Sequence, residues 1–279
     1  MKKTFSPVSA SLVLTALVFF TVLGITPTSV EANDITIKGS TTVLPIAQIT
    51  AETFMDQNPT VNISVQGGGS GVGIASLIDK TTDIADSSRK IKSQEVEKAK
   101  AAGVNVNEII VAMDGIAVII HPTNKIAALT RGQLKDIYTG KISNWSELGG
   151  SDAKIVVISR DTSSGTFESF FELALDKEKV RADALTTASN QAVAQIVAQT
   201  PGSIGYVGFG YLSSRVKDIP VDGITCTKPT IVSGAYPLSR PLYMYTDGSP
   251  AGVVKKYLDF VLSAEGQKLV EGEGFVGLN

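Results

Sequence analysis

Ile35-Thr36-Ile37-Lys38-Gly39-Ser40-Thr41-Thr42-Val43-Leu44-Pro45 is the stretch whose reading decides the fold. Its first four residues are a short β-branched strand pattern, a cluster of Gly, Ser and Thr follows, and Pro45 opens a helical pattern that runs through Phe54. Strand, small polar turn and helix in that order form the opening of a β-α-β unit. The same grammar recurs twice. Val61 to Gln66 is followed by Gly67-Gly68-Gly69-Ser70-Gly71 and a helix through Ile78, and Ile155 to Ser159 by Arg160-Asp161-Thr162-Ser163-Ser164-Gly165-Thr166 and a helix from Phe167 to Leu175.

Outward from these units, short apolar runs alternate with amphipathic segments along the chain. Further strands are expected at Asp83–Asp86, Glu108–Ala112, Ile116–His121, Ser203–Val207 and Leu242–Tyr245. Helical faces are expected at Ile74/Leu77/Ile78, at Phe167/Phe170/Phe171/Ala174 and at Val253/Tyr257/Val261. Thr130 with Gln133 reads as a capping box, and Ser249-Pro250 as an N-cap with Pro at the first helical position. The alternation predicts an α/β architecture with largely parallel sheets, in two lobes. Gly and Pro punctuate extended segments near Met113–Gly115 and Gly234–Pro241, which places the crossovers there. One discontinuous lobe is therefore expected at 33–113 plus 236–279, with an inserted lobe at 114–235.

Each strand-turn-helix unit brings unpaired backbone N–H groups and a positive dipole end to one place. Hydroxyls add donors and glycines let the backbone come close, so each is a candidate oxyanion cradle. Ser and Thr before a helix are also ordinary N-caps. Three such units in one chain, with the planar charged fork of Arg160 heading the third, favour anion binding. Other chemistries find little support. The 279 residues hold one His and one Cys, too few for a zinc site or a thiol framework. His121 precedes Pro122 and reads as a strand end, and Cys226 as an inert thiol. No register gives a dinucleotide or P-loop fingerprint, and neither Ser70 nor Ser164 sits in a nucleophile elbow. A net charge of −2 argues against a nucleic-acid partner. No cofactor or metal is expected, and nothing in the composition calls for more than a monomer.

Lys2-Lys3, an apolar stretch from Val8 to Ile25 and the ending Val30-Glu31-Ala32 have the layout of a secretory signal peptide. Cleavage is expected after Ala32, and no Cys in the segment offers a lipid attachment site. The expected location is the periplasm.

The ordered set of motifs resembles the PstS-like periplasmic phosphate-binding proteins of the phosphate-specific ABC transporter. It is carried by Gly39 to Pro45, Gly69-Ser70-Gly71, Ile84-Ala85-Asp86-Ser87-Ser88-Arg89, Asp114-Gly115-Ile116-Ala117-Val118, Leu134 to Trp145, Arg160 with Ser164-Gly165-Thr166, and Gly202-Ser203-Ile204-Gly205-Tyr206. The resemblance covers nearly the whole mature chain. It implies a two-lobed, Venus-flytrap (type II) binding protein that closes on one phosphate and docks on a membrane permease, without catalysis. By position, it implies that Thr42, Val43 and Leu44 contact phosphate, with Ser40 and Thr41 sharing the task. Ser70 matches the second cradle, and Arg160, Ser164, Gly165 and Thr166 match the third. Better-known members of the family carry Asp where this chain has Ser88, and that carboxylate accepts the proton of hydrogen phosphate. A Ser hydroxyl accepts as well as donates, so Ser88 keeps phosphate bindable and leaves sulfate exclusion open. Asp86 or Asp114 is a candidate replacement acceptor. Arg89 either adds a donor or pairs with a surface carboxylate, and Asp161 either orients Arg160 or is a solvated loop carboxylate. Alternatives are another tetrahedral oxyanion such as sulfate or arsenate, a sensing role, or a phosphoryl hydrolase.

Overall fold

A computed structural model describes residues 1–2 and 34–278 of the chain. The described residues from 34 onward form one compact unit, which carries the fold. The export segment expected at 1–32 lies outside the described residues, apart from the first two. Among the described residues no helix is long and apolar enough to cross a membrane.

The elements run β1 (Asp34–Gly39), α1 (Leu44–Gln57), β2 (Asn62–Gly67), α2 (Ser70–Ile78), β3 (Ile84–Ser87), α3 (Ser93–Ala101) and β4 (Val106–Ile120). Then come α4 (Arg131–Thr139), β5 (Val156–Arg160), α5 (Gly165–Leu173), β6 (Leu185–Thr187), α6 (Asn190–Gln199), β7 (Ser203–Gly208) and β8 (Lys217–Ile219). The chain closes with α7 (Lys228–Val232), β9 (Ser239–Asp247), α8 (Gly252–Leu262) and α9 (Ala264–Gly272). The strands follow the order β2-β1-β3-β9-β4-β7-β5-β6, with β8 also on β4.

Two sheet halves share β4. Residues 106–115 of β4 pair antiparallel with β9, whereas 116–120 pair with β7 and, in part, with β8. The two strands expected at Glu108–Ala112 and Ile116–His121 are thus one, because Met113, Asp114 and Gly115 continue the ladder opposite Pro241, Arg240 and Ser239. A register shift between Ile110 and Ala112 leaves Val111 without a direct partner on β9. The sheet is mixed rather than largely parallel: β1 with β2 and β3, and β5 with β6 and β7, are parallel. The long strands β4 and β9 run against their neighbours.

Ile116 to Ile120 are wholly buried, as a strand covered on both faces requires. Their side chains divide between two cores, one including Tyr138, Phe170 and Tyr206 and the other Ile158, Val193 and Val197. The other half is packed through Ile35, Ile37, Ile46, Met244 and Tyr257 on one side and Ile74, Leu77 and Tyr245 on the other. Phe170 stacks on Tyr206 with ring centroids 4.0 Å apart. The Tyr206 hydroxyl lies 3.0 Å from Ser159 Oγ and accepts from Arg160 N at 3.2 Å, so this aromatic cluster fixes the end of β5.

The Thr130–Gln133 capping box is present, with Gln133 N donating to Thr130 Oγ1 at 3.1 Å and Thr130 N to Gln133 Oε1 at 2.9 Å. The cap expected at Ser249-Pro250 is not formed. Helix α8 starts at Gly252 after Ala251, because the turn between two positive-φ glycines, Gly248 and Gly252, carries the chain past Pro250 before the helix begins. Helix α5 begins at Gly165, two residues ahead of the expected Phe167.

Candidate functional site

The three strand-turn-helix units bring their loops together where the two sheet halves meet. Their side chains are nearly inaccessible: Thr42 and Ser70 are fully buried, and Ser40, Thr41, Ser88, Arg160, Ser164 and Thr166 are 7% exposed or less. In the first loop, Ser40 organises the turn. Its hydroxyl accepts from Thr42 N at 3.1 Å and Val43 N at 3.4 Å, and its carbonyl from Leu44 N at 3.0 Å. The amides expected to face a ligand at Thr42, Val43 and Leu44 thus donate to Ser40 in this structure. The Val43 side chain is in the core, and Leu44 opens α1.

The second loop needs its glycines. Gly69 has φ +101°, and a Cβ there would lie 2.7 Å from the carbonyl oxygen of Ser163, so only glycine fits without a shift. Ser70 begins α2, and its Oγ accepts from Ser88 N at 3.0 Å, with Ser88 Oγ 3.4 Å away. In the third unit Ser164 caps α5, its Oγ accepting from Phe167 N at 3.2 Å. A Cβ on Gly165 would meet Ser70 Oγ at 2.2 Å and Ser88 Oγ at 2.8 Å, so the start of α5 presses against the second loop and Ser88.

Arg160 stands at the end of β5, 3% exposed. Its Nε donates to Thr187 O at 3.2 Å and its Nη2 to Ala188 O at 3.0 Å and Thr41 Oγ1 at 3.3 Å. Its Nη1 is buried without a partner. Burial pulls the guanidinium below its ordinary value, yet an Arg stays protonated at any physiological pH. Among the described residues no carboxylate forms an ion pair with it. The Asp161 carboxylate does not orient Arg160: Oδ1 accepts from Ser163 N at 2.9 Å and from Ser163 Oγ, closing the turn between β5 and α5.

Asp114 and Arg240 form the second charged feature, and the sequence did not mark Arg240. They sit opposite each other on β4 and β9, with Arg240 Nη2 and Nε 2.8 and 3.0 Å from Asp114 Oδ2. Phe209 N donates to Asp114 Oδ1 at 2.8 Å. Both oxygens are thus engaged, so Asp114 is not presented as an acceptor to a ligand. Burial raises its carboxyl above the ordinary range and Arg240 opposes that rise. Arg240 Nη2 also reaches Thr166 Oγ1 at 3.0 Å and Thr42 Oγ1 at 3.4 Å, and those two hydroxyls are 2.8 Å apart.

Asp86 is 1% exposed with Oδ1 unpartnered, and burial pushes its carboxyl well above the ordinary carboxylate range. Its backbone carbonyl anchors the first loop by accepting from Ser40 N at 2.9 Å. Strand β3 ends at Ser87, so Asp86 lies within the ladder and Ser88 just beyond it. Of the two roles open to Arg89, the structure shows the carboxylate pair. It donates to both oxygens of Glu95 at 2.7 and 2.8 Å and also contacts Glu168 of α5. Lys92 Nζ reaches the other Glu168 oxygen at 2.8 Å, so a carboxylate of one half is held by two cations of the other. Asn190, at the head of α6, was likewise unmarked by the sequence. Its Nδ2 donates to Thr42 Oγ1 at 2.9 Å and to Thr41 Oγ1 at 3.1 Å. Only its place beside Ser189 at a helix start hinted at more than a surface amide.

A buried cationic cradle assembled from both halves of a mixed sheet defines a two-lobed ligand-binding protein, and residues 26–265 match the PBP superfamily domain. The chain is 36% identical over 247 residues to the phosphate-binding protein PstS of Bacillus subtilis, spanning 88% of this chain and 81% of that one. Against the PstS of Borreliella burgdorferi it is 34% identical over 256 residues, spanning 88% and 90%. A phosphate ABC transporter substrate-binding protein of Clostridium perfringens, solved with bound phosphate, matches with a TM-score of 0.83 at 35% identity over 88% of this chain and 100% of that one. An ABC-type phosphate transport receptor of Vibrio cholerae gives 0.73 at 33% identity over 87% and 99%. The chain belongs to the PstS family of phosphate-binding proteins.

Proposed function

We propose that this protein captures one inorganic phosphate between its lobes and delivers it to the permease of an ABC transporter. The observation that carries the reading is Arg160: a buried guanidinium that reaches the Thr41 hydroxyl of the first loop, keeps Nη1 unpartnered and, among the described residues, has no carboxylate ion pair. Such a group is stabilised by a bound anion. Thr41, Thr166, Ser70 and Ser88 supply further hydrogen bonds, and the start of α5 adds the positive end of its dipole. The lobes are 33–113 plus 236–279 and 114–235, joined through β4 and the segment that leads into β9. Phosphate touching loops of both lobes favours the closed arrangement by its differential affinity. The protein acts outside the cytoplasmic membrane after removal of residues 1–32, as a monomer and without catalysis.

A second reading, binding of sulfate or arsenate, is favoured by Ser88, a hydroxyl where better-known relatives carry a carboxylate. Competitive titration of the mature protein with phosphate, arsenate and sulfate tests both. Phosphate binding at one site with weak sulfate competition is the expected result; equal sulfate affinity moves the assignment to oxyanions in general.

A further inference from the structure

We infer that the segment Ser163–Ser169 is a clamp between the lobes, and that the ion pairs of Glu168 near its end govern how fast a bound anion is released without touching that anion. The inference rests on the two-lobed phosphate-binding reading and adds a conformational device to it.

The segment belongs to the third strand-turn-helix unit, and its middle residues, Ser164 to Thr166, lie in the candidate cradle. Its two ends are fastened to two different loops of the opposite lobe. At one end Gly71 N donates to Ser163 O at 2.9 Å, and Ser163 Oγ donates to Gly68 O at 3.1 Å. The glycine run Gly67–Gly71 thus seats a turn of the opposite lobe, and the Gly71 amide at the start of α2 is engaged by a backbone carbonyl. At the other end Ser169 Oγ donates to Ser88 O at 3.4 Å, and Glu168 sits between Arg89 and Lys92.

The two ends differ in strength. The contacts at Ser163 join neutral groups, which exchange their partners for water when the lobes part. Those at Glu168 are charge-assisted and largely shielded, with the Arg89 and Glu168 side chains 7% and 16% exposed. Arg89 is prepared for this contact within its own lobe, where both oxygens of Glu95 hold its fork at 2.7 and 2.8 Å. Its Nε edge is turned to Glu168. Glu95 stays with Arg89 when the lobes separate, so opening leaves no buried cation unpaired and the clamp can let go. Among the described residues, the ion pairs of Glu168 all cross between the lobes, and Lys92 has no other.

Clamp and cradle are tied together by the chain. Thr166 and Glu168 are two residues apart on α5, and Ser88 and Arg89 are neighbours on the loop after β3. Separating the hydroxyls of the cradle therefore separates the ion pairs. Contacts made only once the lobes have met slow departure of the ligand and leave its encounter with the open cleft unchanged.

The test is a chase experiment. Mature protein loaded with radiolabelled inorganic phosphate is mixed with excess unlabelled phosphate, at about 50 mM and about 500 mM salt. Wild type, Glu168→Gln, Lys92→Ala and the double variant are compared. Glu168→Gln should release phosphate roughly tenfold faster, between the effect of an exposed pair and that of a buried one. Its association rate should be unchanged. Lys92→Ala, at a half-exposed side chain, should speed release by about two- to threefold. The double variant should gain less than the product of the two, because both remove the same contact. Wild-type release should quicken with salt, and that of Glu168→Gln should respond less. Equal release by wild type and Glu168→Gln would overturn the clamp, as would a slower association with unchanged release. If Glu168→Gln does not fold, release from Lys92→Ala at the wild-type rate would overturn it equally. Failure of the wild type to bind phosphate at all would overturn the proposed function, and with it the clamp's part in release.

Discussion

Two buried arginines stand a few side chains apart and are treated in opposite ways. Arg240, at the junction of the halves, faces Asp114 across the β4–β9 ladder and spends its fork on a carboxylate and two threonines. Arg160, at the end of β5, receives only carbonyls and one hydroxyl and keeps Nη1 unpartnered. A paired buried charge holds the protein to itself, because removing either partner strands the other. An unpaired one is a debt the fold leaves for a ligand to settle. Burial alone did not separate these roles; the partner did.

Three substitutions put that contrast at risk. The largest effect is expected for Arg160→Ala, which should weaken phosphate binding by about 4 kcal/mol, as when one partner of a buried charge pair is removed. It should change stability without ligand by no more than about 1–2 kcal/mol. Calorimetry and urea unfolding on the same sample check both, and near-unchanged affinity would end the role assigned to Arg160. Asp114→Ala should do the reverse, destabilising the unliganded protein by about 3 kcal/mol because Arg240 is left buried and uncompensated. Part of that loss should return in an Asp114→Ala/Arg240→Met double variant; if Asp114→Ala costs no stability, the pair is not what holds the junction. The smallest effect extends the contrast to a carboxyl. Burial raises Asp86, so the folded protein holds its proton at pH values where the unfolded chain has released it. Stability should then fall as pH rises from the ordinary carboxylate range through the raised value. Asp86→Asn should remove that slope and be more stable at neutral pH by about 1–2 kcal/mol. Unfolding midpoints for the two proteins that stay parallel with pH would exclude this.

Much of this was written locally. Strands at Ile35–Lys38 and Ile155–Ser159, the capping box at Thr130 and three small-residue turns were legible because each rests on neighbours within a few positions. Arg160 stood out because its turn named it. Arg240 and Asn190 did not, since their partners Asp114, Thr166, Thr41 and Thr42 lie 74 to 198 positions away and only the folded sheet brings them near. The strand break read between Ala112 and Ile116 misled for a related reason: a glycine that punctuates a sequence can still carry ladder hydrogen bonds. Asp161 misled because adjacency to Arg160 in sequence is not adjacency of side chains on a turn.

Helix α5 carries two attachments barely one turn apart. Thr166 meets the cradle, and Glu168 is gripped by Lys92 and Arg89 on its outer side. Under the proposed closure on an anion, this grip touches none of the cradle's hydroxyls, so it would lengthen the residence of a right and a wrong ligand alike. Substitutions at Glu168 would then tune how long the lobes stay together and leave the choice of anion to the hydroxyls.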